Sequence, residues 1–341
     1  MLEDKTMVND MEKRLRSLMN RLVLAVIMVV MTVMVVYAAA DVKKNPGKSF
    51  TSPDNAVKAL IDALKQNDNN QLIVILGPEG KDLISSGDEV ADRGNRVSFV
   101  QKFEEIHRLE QKNPETTILY VGKDEWPMAI PIVKTDDKWR FDTAAGKEEV
   151  LNRRIGRNEL NVIKVMEAYV DAQHEYACKD RKCHGEVEFA QKFASSEGKK
   201  NGLYWPAKAG EEPSPFGPMV AQAVKEGYKK KSEVLSPYHG YYYRILKGQG
   251  ESALGGTYDY VVNGKMILGF GLVAYPAEYG KSGVMTFIVN QQDAIYEKNL
   301  GPDTAKNTGA MVKYDPDQTW KKVEKKFLSA SKPTETGCPE R

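Results

Sequence analysis

Residues 148–176 read EEVLNRRIGRNELNVIKVMEAYVDAQHEY, and this stretch decides the architecture. Leu151, Ile155, Val162, Met166, Tyr169, Val170 and Gln173 recur three or four residues apart, the spacing of one helix face. Glu149 and Arg153 stand one turn apart, where opposite charges support a helix on its outer side. The spacing predicts a helix over Glu148–Tyr176, opening after Gly146 and longer than any other candidate in the chain. Downstream, strand patterns occur at Tyr241–Leu246, Tyr258–Val262, Leu268–Tyr275, Val284–Asn290 and Ala294–Glu297. Asn263-Gly264 and Gln291–Asp293 are the turn signals between them. The expectation for residues 147–315 is one long helix laid across an antiparallel meander.

Upstream, Ser52-Pro53-Asp54 opens a helix, with Ser52 as N-cap and Pro53 in the first turn. Ala56, Leu60, Ala63 and Leu64 follow at helical spacing, and an apolar run, Leu72–Leu76, stops at Gly77-Pro78. A third helix is predicted near Arg96–Glu110, with Phe99, Val100, Phe103 and Ile106 on one face. The period then falls to two: Thr117–Val121, Met128–Lys134 and Trp139–Phe141 read as strands, the last two joined at Thr135–Lys138. Pro127 and Pro131 lack ladder donors, which puts the second strand at an edge or across a bulge. The fold class is α+β, with a small helix-plus-antiparallel-hairpin lobe over 41–146 and the long-helix lobe over 147–315. Residues 316–341 are read as a C-terminal helix and flexible tail.

The start of the chain is of another kind. Lys13, Arg14, Arg16 and Arg21 precede the uncharged run Leu22–Ala40, which ends in Ala38-Ala39-Ala40 before Asp41. A basic region, an apolar core and an A-x-A exit predict a secretory signal peptide over residues 1–40. An apolar run of this length also just spans a bilayer, so an uncleaved anchor is the alternative. Either way the body faces the periplasm, and the membrane is touched only through residues 22–40 if they are retained. No cysteine lies near the exit site, which excludes a lipoprotein anchor. Of 341 residues, 41% are hydrophobic and 28% charged, an ordinary globular balance. The net charge of +2 sets up no field for nucleic acid, which is excluded as a partner.

Several clusters are candidates for chemistry or binding. Cys178 and Cys183 would close a short loop as a disulfide in an oxidising compartment, leaving Cys338 odd. His174, Cys178, Cys183 and His184 would form a zinc set as the alternative; no metal or cofactor is expected, because the H-E-x-x-H pattern lacks its second histidine. Asp88 and Asp92, with Glu89, form an acidic cluster that serves either acid–base chemistry or capping of turn amides. Tyr238, His239, Tyr242 and Arg244 form a candidate ligand surface, since alternation sends Tyr242 and Arg244 to the side away from Tyr241 and Tyr243. Gly269-Phe270-Gly271 and Gly280-Lys281-Ser282 imitate nucleotide motifs, but Pro276 stands where a helix should open and Tyr275 where the phosphate loop needs glycine.

With these segments in view, the chain resembles a family of exported bacterial proteins known as domain of unknown function 2950. The segments that carry the resemblance are Ile75–Leu83 (ILGPEGKDL), Ser86–Asp92 (SGDEVAD), Trp126-Pro127, Arg140–Glu149 (RFDTAAGKEE), Asn152–Leu160 (NRRIGRNEL), Tyr238–Tyr241 (YHGY) and Tyr279–Phe287 (YGKSGVMTF). The resemblance brings no activity, cofactor or catalytic residue with it. The second lobe also resembles the soluble heads of type IV pilin-like proteins, through the order of Ala172–Ala177, Leu203-Tyr204-Trp205-Pro206, Gly240–Tyr243, Ala274-Tyr275-Pro276 and Phe287. It departs from them at Asn152–Asn158, which is too charged for the membrane-embedded half of a pilin helix. The expected function is that of a non-catalytic envelope binding or assembly protein whose partner is an envelope protein or a glycan. The alternative is a periplasmic hydrolase centred on Asp88/Asp92 or on His174.

Overall fold

The computed structural model describes residues 47–179, 187–228 and 236–324. Helix α1, Pro53–Gln66, is capped by Ser52, whose hydroxyl accepts from Asn55 N–H at 3.1 Å. It buries Ala56, Val57, Leu60 and Ile61 and ends on Asn67 in a left-handed conformation. The apolar run before Gly77 is helix α2, Asn69–Leu76, capped by Asp68. A single 3₁₀ turn, Pro78–Gly80, leads into α3, Lys81–Ile84.

The third helix differs from its expected span: α4 runs Glu89–Glu105, opening on Asp88 as N-cap. Ile106 is already extended and exposed, because residues 107–113 form a strand. That strand, β1 (His107–Asn113), is polar and exposed at both ends, so it carries no apolar alternation to announce it. It pairs with β2, Thr116–Val121, which buries Thr117, Leu119 and Val121 in strict alternation. The expected strand Met128–Lys134 is broken into β3 (Trp126–Pro127) and β4 (Ile132–Thr135), both paired along one side of β2. Strand β5, Lys138–Phe141, lies beyond β4, whereas β3, with Pro127, pairs among the described residues with β2 alone, so the prolines interrupt the strand and leave its first piece at an edge. Asp136 and Asp137 make the β4–β5 turn, both with positive φ, the hairpin geometry that suits strand twist. One apolar core gathers Leu60, Ile61, Leu72, Ile75, Leu119, Ile132 and Phe141 between these helices and this sheet.

Helix α5 spans Thr143–Ala177, 35 residues, and starts five residues before Glu148 because Asp142 caps it through Ala145 N–H. Gly146 is therefore not a boundary but a close contact. A Cβ there would lie 2.5 Å from the Ala129 carbonyl oxygen and 2.6 Å from Ile130 Cα. The apolar stripe holds in the second half, where Val162, Met166, Tyr169, Val170 and Gln173 are buried. Gln173 earns its place by pairing both its amide groups with the Ala190 backbone at 2.8 Å each. In the first half Leu151 and Ile155 are only half-buried, and past Gly146 the buried positions are Arg154 and Asn158. Both are satisfied across the interface: Arg154 donates to the Asp82 and Leu83 carbonyls, Asn158 to the Ser282 carbonyl at 2.8 Å. The Glu149–Arg153 pair forms at 2.7 Å.

After α6, Gly217–Lys225, come β6 (Tyr241–Leu246), β7 (Gly248–Gln249), β8 (Tyr258–Asp259), β9 (Val261–Val262), β10 (Lys265–Met266), β11 (Gly271–Pro276), β12 (Met285–Asn290) and β13 (Tyr296–Asn299). Helix α7, Thr304–Ala310, and β14, Lys321–Lys322, complete the described elements. The sheet order is β14-β13-β12-β11-β6, antiparallel throughout. The expected strand Tyr258–Val262 is not a member. It divides at Tyr260, which is fully buried, into β8 paired with β7 and β9 paired with β10 around Asn263-Gly264. One sheet face, with Tyr241, Leu272, Ala274, Phe287 and Val289, packs on the second half of α5. The other carries Leu246, Val273 and Ile288 under Met311, Tyr314 and Trp320. Residues 316–324 hold β14 and turns, not helix, since Trp320 is drawn onto this second face; the rest of the expected C-terminal helix and tail lies outside the described residues. No helix among the described residues is long and apolar enough to cross a membrane.

Because Gly146 touches backbone rather than a movable side chain, Gly146→Ala should cost about 1–3 kcal/mol of stability, read as a lower urea midpoint with an unchanged slope. A neutral or stabilising result would show that α5 is not held against the Ala129–Ile130 backbone.

Candidate functional site

Asp88 and the Tyr238-His239 segment, far apart in sequence, meet. Asp88 Oδ1 accepts from Ala91 N–H at 3.0 Å, the cap of α4. Its Oδ2 accepts from the Tyr228 hydroxyl at 2.8 Å and from Gly240 N–H at 2.9 Å. The Tyr228 oxygen in turn accepts from His239 N–H at 3.1 Å. Tyr238 and Tyr241 exchange both backbone bonds around His239 and Gly240, with φ of 51° and 76°. That left-handed pair is a tight turn in which histidine occupies a conformation that side chains seldom adopt. The His239 ring packs tilted against Tyr238, with ring centres 4.2 Å apart, and its Nε2 lies 3.2 Å from Glu226 Oε2.

Burial holds the His239 pKa below its ordinary 6.5, against the pull of Glu226 and Asp88 and with the help of Lys164 and Arg157. Burial also drives the Tyr228 hydroxyl well above its usual range, and Asp88 adds to this, so Tyr228 stays a donor. The neighbouring Tyr243 hydroxyl is buried without a hydrogen-bond partner among the described residues.

Tyr242 and Arg244 lie on the opposite sheet face, as alternation required. Arg244 donates to the carbonyls of Thr308 and, at 2.6 Å, Met311, closing the C-terminal end of α7. Tyr242 packs against Tyr275 at 5.6 Å between ring centres. Thus the expected ligand surface is divided: Tyr238 and His239 join Asp88, whereas Tyr242 and Arg244 are engaged elsewhere.

Asp92 is separated from Asp88 in its surroundings. Its Oδ2 accepts from Ser86 N–H at 2.8 Å, and burial raises its pKa against the bonds from Ser86 and the charges of Arg154 and Arg96. It lines a cavity of about 730 Å³ whose floor includes Leu60, Leu72, Leu76, Phe99, Val121 and Ile130. Cations surround that floor: Arg96, Lys102, Arg153, Arg154 and Arg157. Trp126 stands exposed at the rim, its ring centre 5.1 Å from the Arg153 guanidinium and 5.8 Å from Lys102 Nζ. Arg96 donates to the Ile84 carbonyl at 2.5 Å and to Asn67. Burial lowers the pKa of Arg154, opposed by Asp92 and reinforced by Arg157 and Arg96. Sequence reasoning missed these arginines as a site. The available signal was the polar run Asn152–Asn158 interrupting an otherwise apolar helix face.

The His174 ring meets Phe270 and Phe189 edge-on, at 5.4 and 6.3 Å, in an aromatic setting. Cys183 and His184 lie outside the described residues, as does Cys338, and with them the expected disulfide and the alternative zinc set. No group of three or more His, Cys, Asp or Glu side chains is placed to hold a metal among the described residues.

Unfolded, the His239 ring takes up a proton near its ordinary value; folded, it does so only at lower pH. Stability contributed by the neutral ring is therefore full above pH 6.5 and is lost as pH falls below it through the depressed folded value. His239→Gln should flatten that limb in urea titrations between pH 7 and about 5; an equal slope in both proteins would place the acid sensitivity elsewhere. Asp88→Ala, which strands three donors, should cost about 2–3 kcal/mol at neutral pH in the same assay.

No curated protein and no solved structure matches the chain. One family does match, described as protein of unknown function (DUF2950), over residues 47–323. That span takes in the Asp88–Tyr228–His239 network and every arginine around the cavity, and on it the chain belongs to this family of unknown function.

Proposed function

We propose that this chain is an exported, non-catalytic binding protein of the cell envelope, holding a small apolar ligand in the cavity between α1, α4 and α5. The cavity is the observation that carries the reading. Its volume lies within the about 300–1,000 Å³ common for small-molecule sites, and it combines apolar walls with a few converging polar groups. Binding is favoured over acid–base chemistry by how the carboxylates are used. Asp88 already accepts three hydrogen bonds, and Asp92 holds the Ser86 amide. Export rests on the basic and apolar leader, placing the body in the periplasm, free or tethered through residues 22–40. In that compartment a Cys178–Cys183 bridge would tie the C-terminal end of α5.

Ser98 lines the cavity from the exposed side of α4, so Ser98→Trp fills it without entering the core. The neutral fluorophore N-phenyl-1-naphthylamine should bind the full chain saturably with one site, and Ser98→Trp should weaken it by about tenfold or more. Absence of saturable binding, or binding indifferent to Ser98→Trp, would remove the cavity as the site.

A further inference from the structure

Resting on that reading, we infer that the cavity's ligand is a single-chain alkyl or acyl anion, its tail on the leucine-rich floor and its carboxylate or phosphate head on Arg157 beside Arg154. The charge balance argues for it first. Five cationic side chains line the cavity against one carboxylate, Asp92. Arg153 is neutralised by Glu149, and Arg96 and Arg154 both face Asp92. Arg157 has no hydrogen bond or ion pair among the described residues, and it stands exposed at the rim.

Arg154 sharpens the case, being 7% exposed with its bonds going to the neutral carbonyls of Asp82 and Leu83 rather than to an acid. A buried guanidinium that is held by carbonyls and shares one carboxylate, Asp92, with Arg96 leaves the pair with a net positive charge, and an anion entering the cavity would relieve it. Guanidinium groups carry donors only, so the head must be an acceptor. Their fork matches the two oxygens of a carboxylate or phosphate.

The floor sets the other half of the ligand. Leu60, Leu72, Leu76, Phe99 and Ile130 offer no hydrogen bonds, so a glycan would bury hydroxyls without partners there. A hydrocarbon chain has none to lose, and covering the floor removes apolar surface from water. Trp126, flanked by Arg153 and Lys102, marks the boundary where tail gives way to head.

The test uses four ligands sharing one tail: dodecanoate, dodecyl phosphate, dodecanol and dodecyltrimethylammonium, titrated into the full chain by displacement of N-phenyl-1-naphthylamine and by calorimetry. At least one anion should bind about tenfold or more tighter than dodecanol, with the cation weakest, and added salt should narrow the gap. Arg157→Gln should close that gap by about tenfold, and Arg157→Lys should restore part of it. A preference for dodecanoate assigns a free fatty acid, and a preference for dodecyl phosphate a phosphate-headed lipid. Equal binding of dodecanol and the anions, or a gap that Arg157→Gln leaves intact, overturns the inference while leaving the cavity a binding site. Failure of all four ligands and of the fluorophore overturns both.

Discussion

The middle of helix α5 is a polar belt between two apolar cores, and the arrangement of both halves depends on it. Arg154 reaches the Asp82 and Leu83 carbonyls on one side. One turn on, Asn158 donates to Ser282, and Glu159 accepts from Val284 and Met285 N–H at 3.0 Å each. These bonds go mostly to backbone, so they fix position rather than merely bury surface. An apolar contact at the same place would tolerate sliding, whereas hydrogen bonds of defined direction hold one register. Asp82 adds ion pairs to Lys147 at 2.6 Å and to Lys281 at 3.3 Å, tying α3 to α5 and to the loop before β12.

The Asp88 network does the same work from a second direction. Its carboxylate begins α4 and at the same time holds the left-handed turn that starts β6. His239 sits there in a backbone conformation that costs of order 1–3 kcal/mol and persists only where neighbours hold it. Asn158 closes the space beside Gly240, with Nδ2 2.6 Å from where a Cβ would stand. The polar belt of α5 and the cap of α4 thus converge on one turn. That convergence explains how two stretches read separately from sequence come to share a single carboxylate.

The cavity is a consequence of the same belt. Packing α5 on the N-terminal helices through guanidinium–carbonyl bonds, not through leucines, leaves the apolar floor of α1, α2 and α4 incompletely covered. The arginines that hold the helix in place are also the rim of what it leaves open. Position and electrostatics meet in Arg154, whereas Arg157 borders the opening without tying the joint between the two cores.

How much of this was legible follows from which forces act locally. Ser52 as a cap, the aspartate turn before β5, the Asn263-Gly264 hairpin and the apolar half of α5 depend on neighbours in sequence, and each stands where its pattern placed it. The α+β class was settled the same way. Strand β1 was not legible, because it joins β2 through backbone bonds, which leave no mark on composition, and its polar side chains show no apolar alternation. The expulsion of Tyr258–Val262 from the sheet turned on where Tyr260 is buried, a long-range matter. Gly146 read as punctuation until the Ala129–Ile130 backbone was seen against it. The sequence by itself determined the helix caps, the tight turns, the α+β class and the polar run within α5, since periodicity and capping are local. Only the tertiary structure decided that Asp88 meets His239 and that the arginines ring an apolar floor, because a charge has no address in sequence until folding brings its neighbours to it.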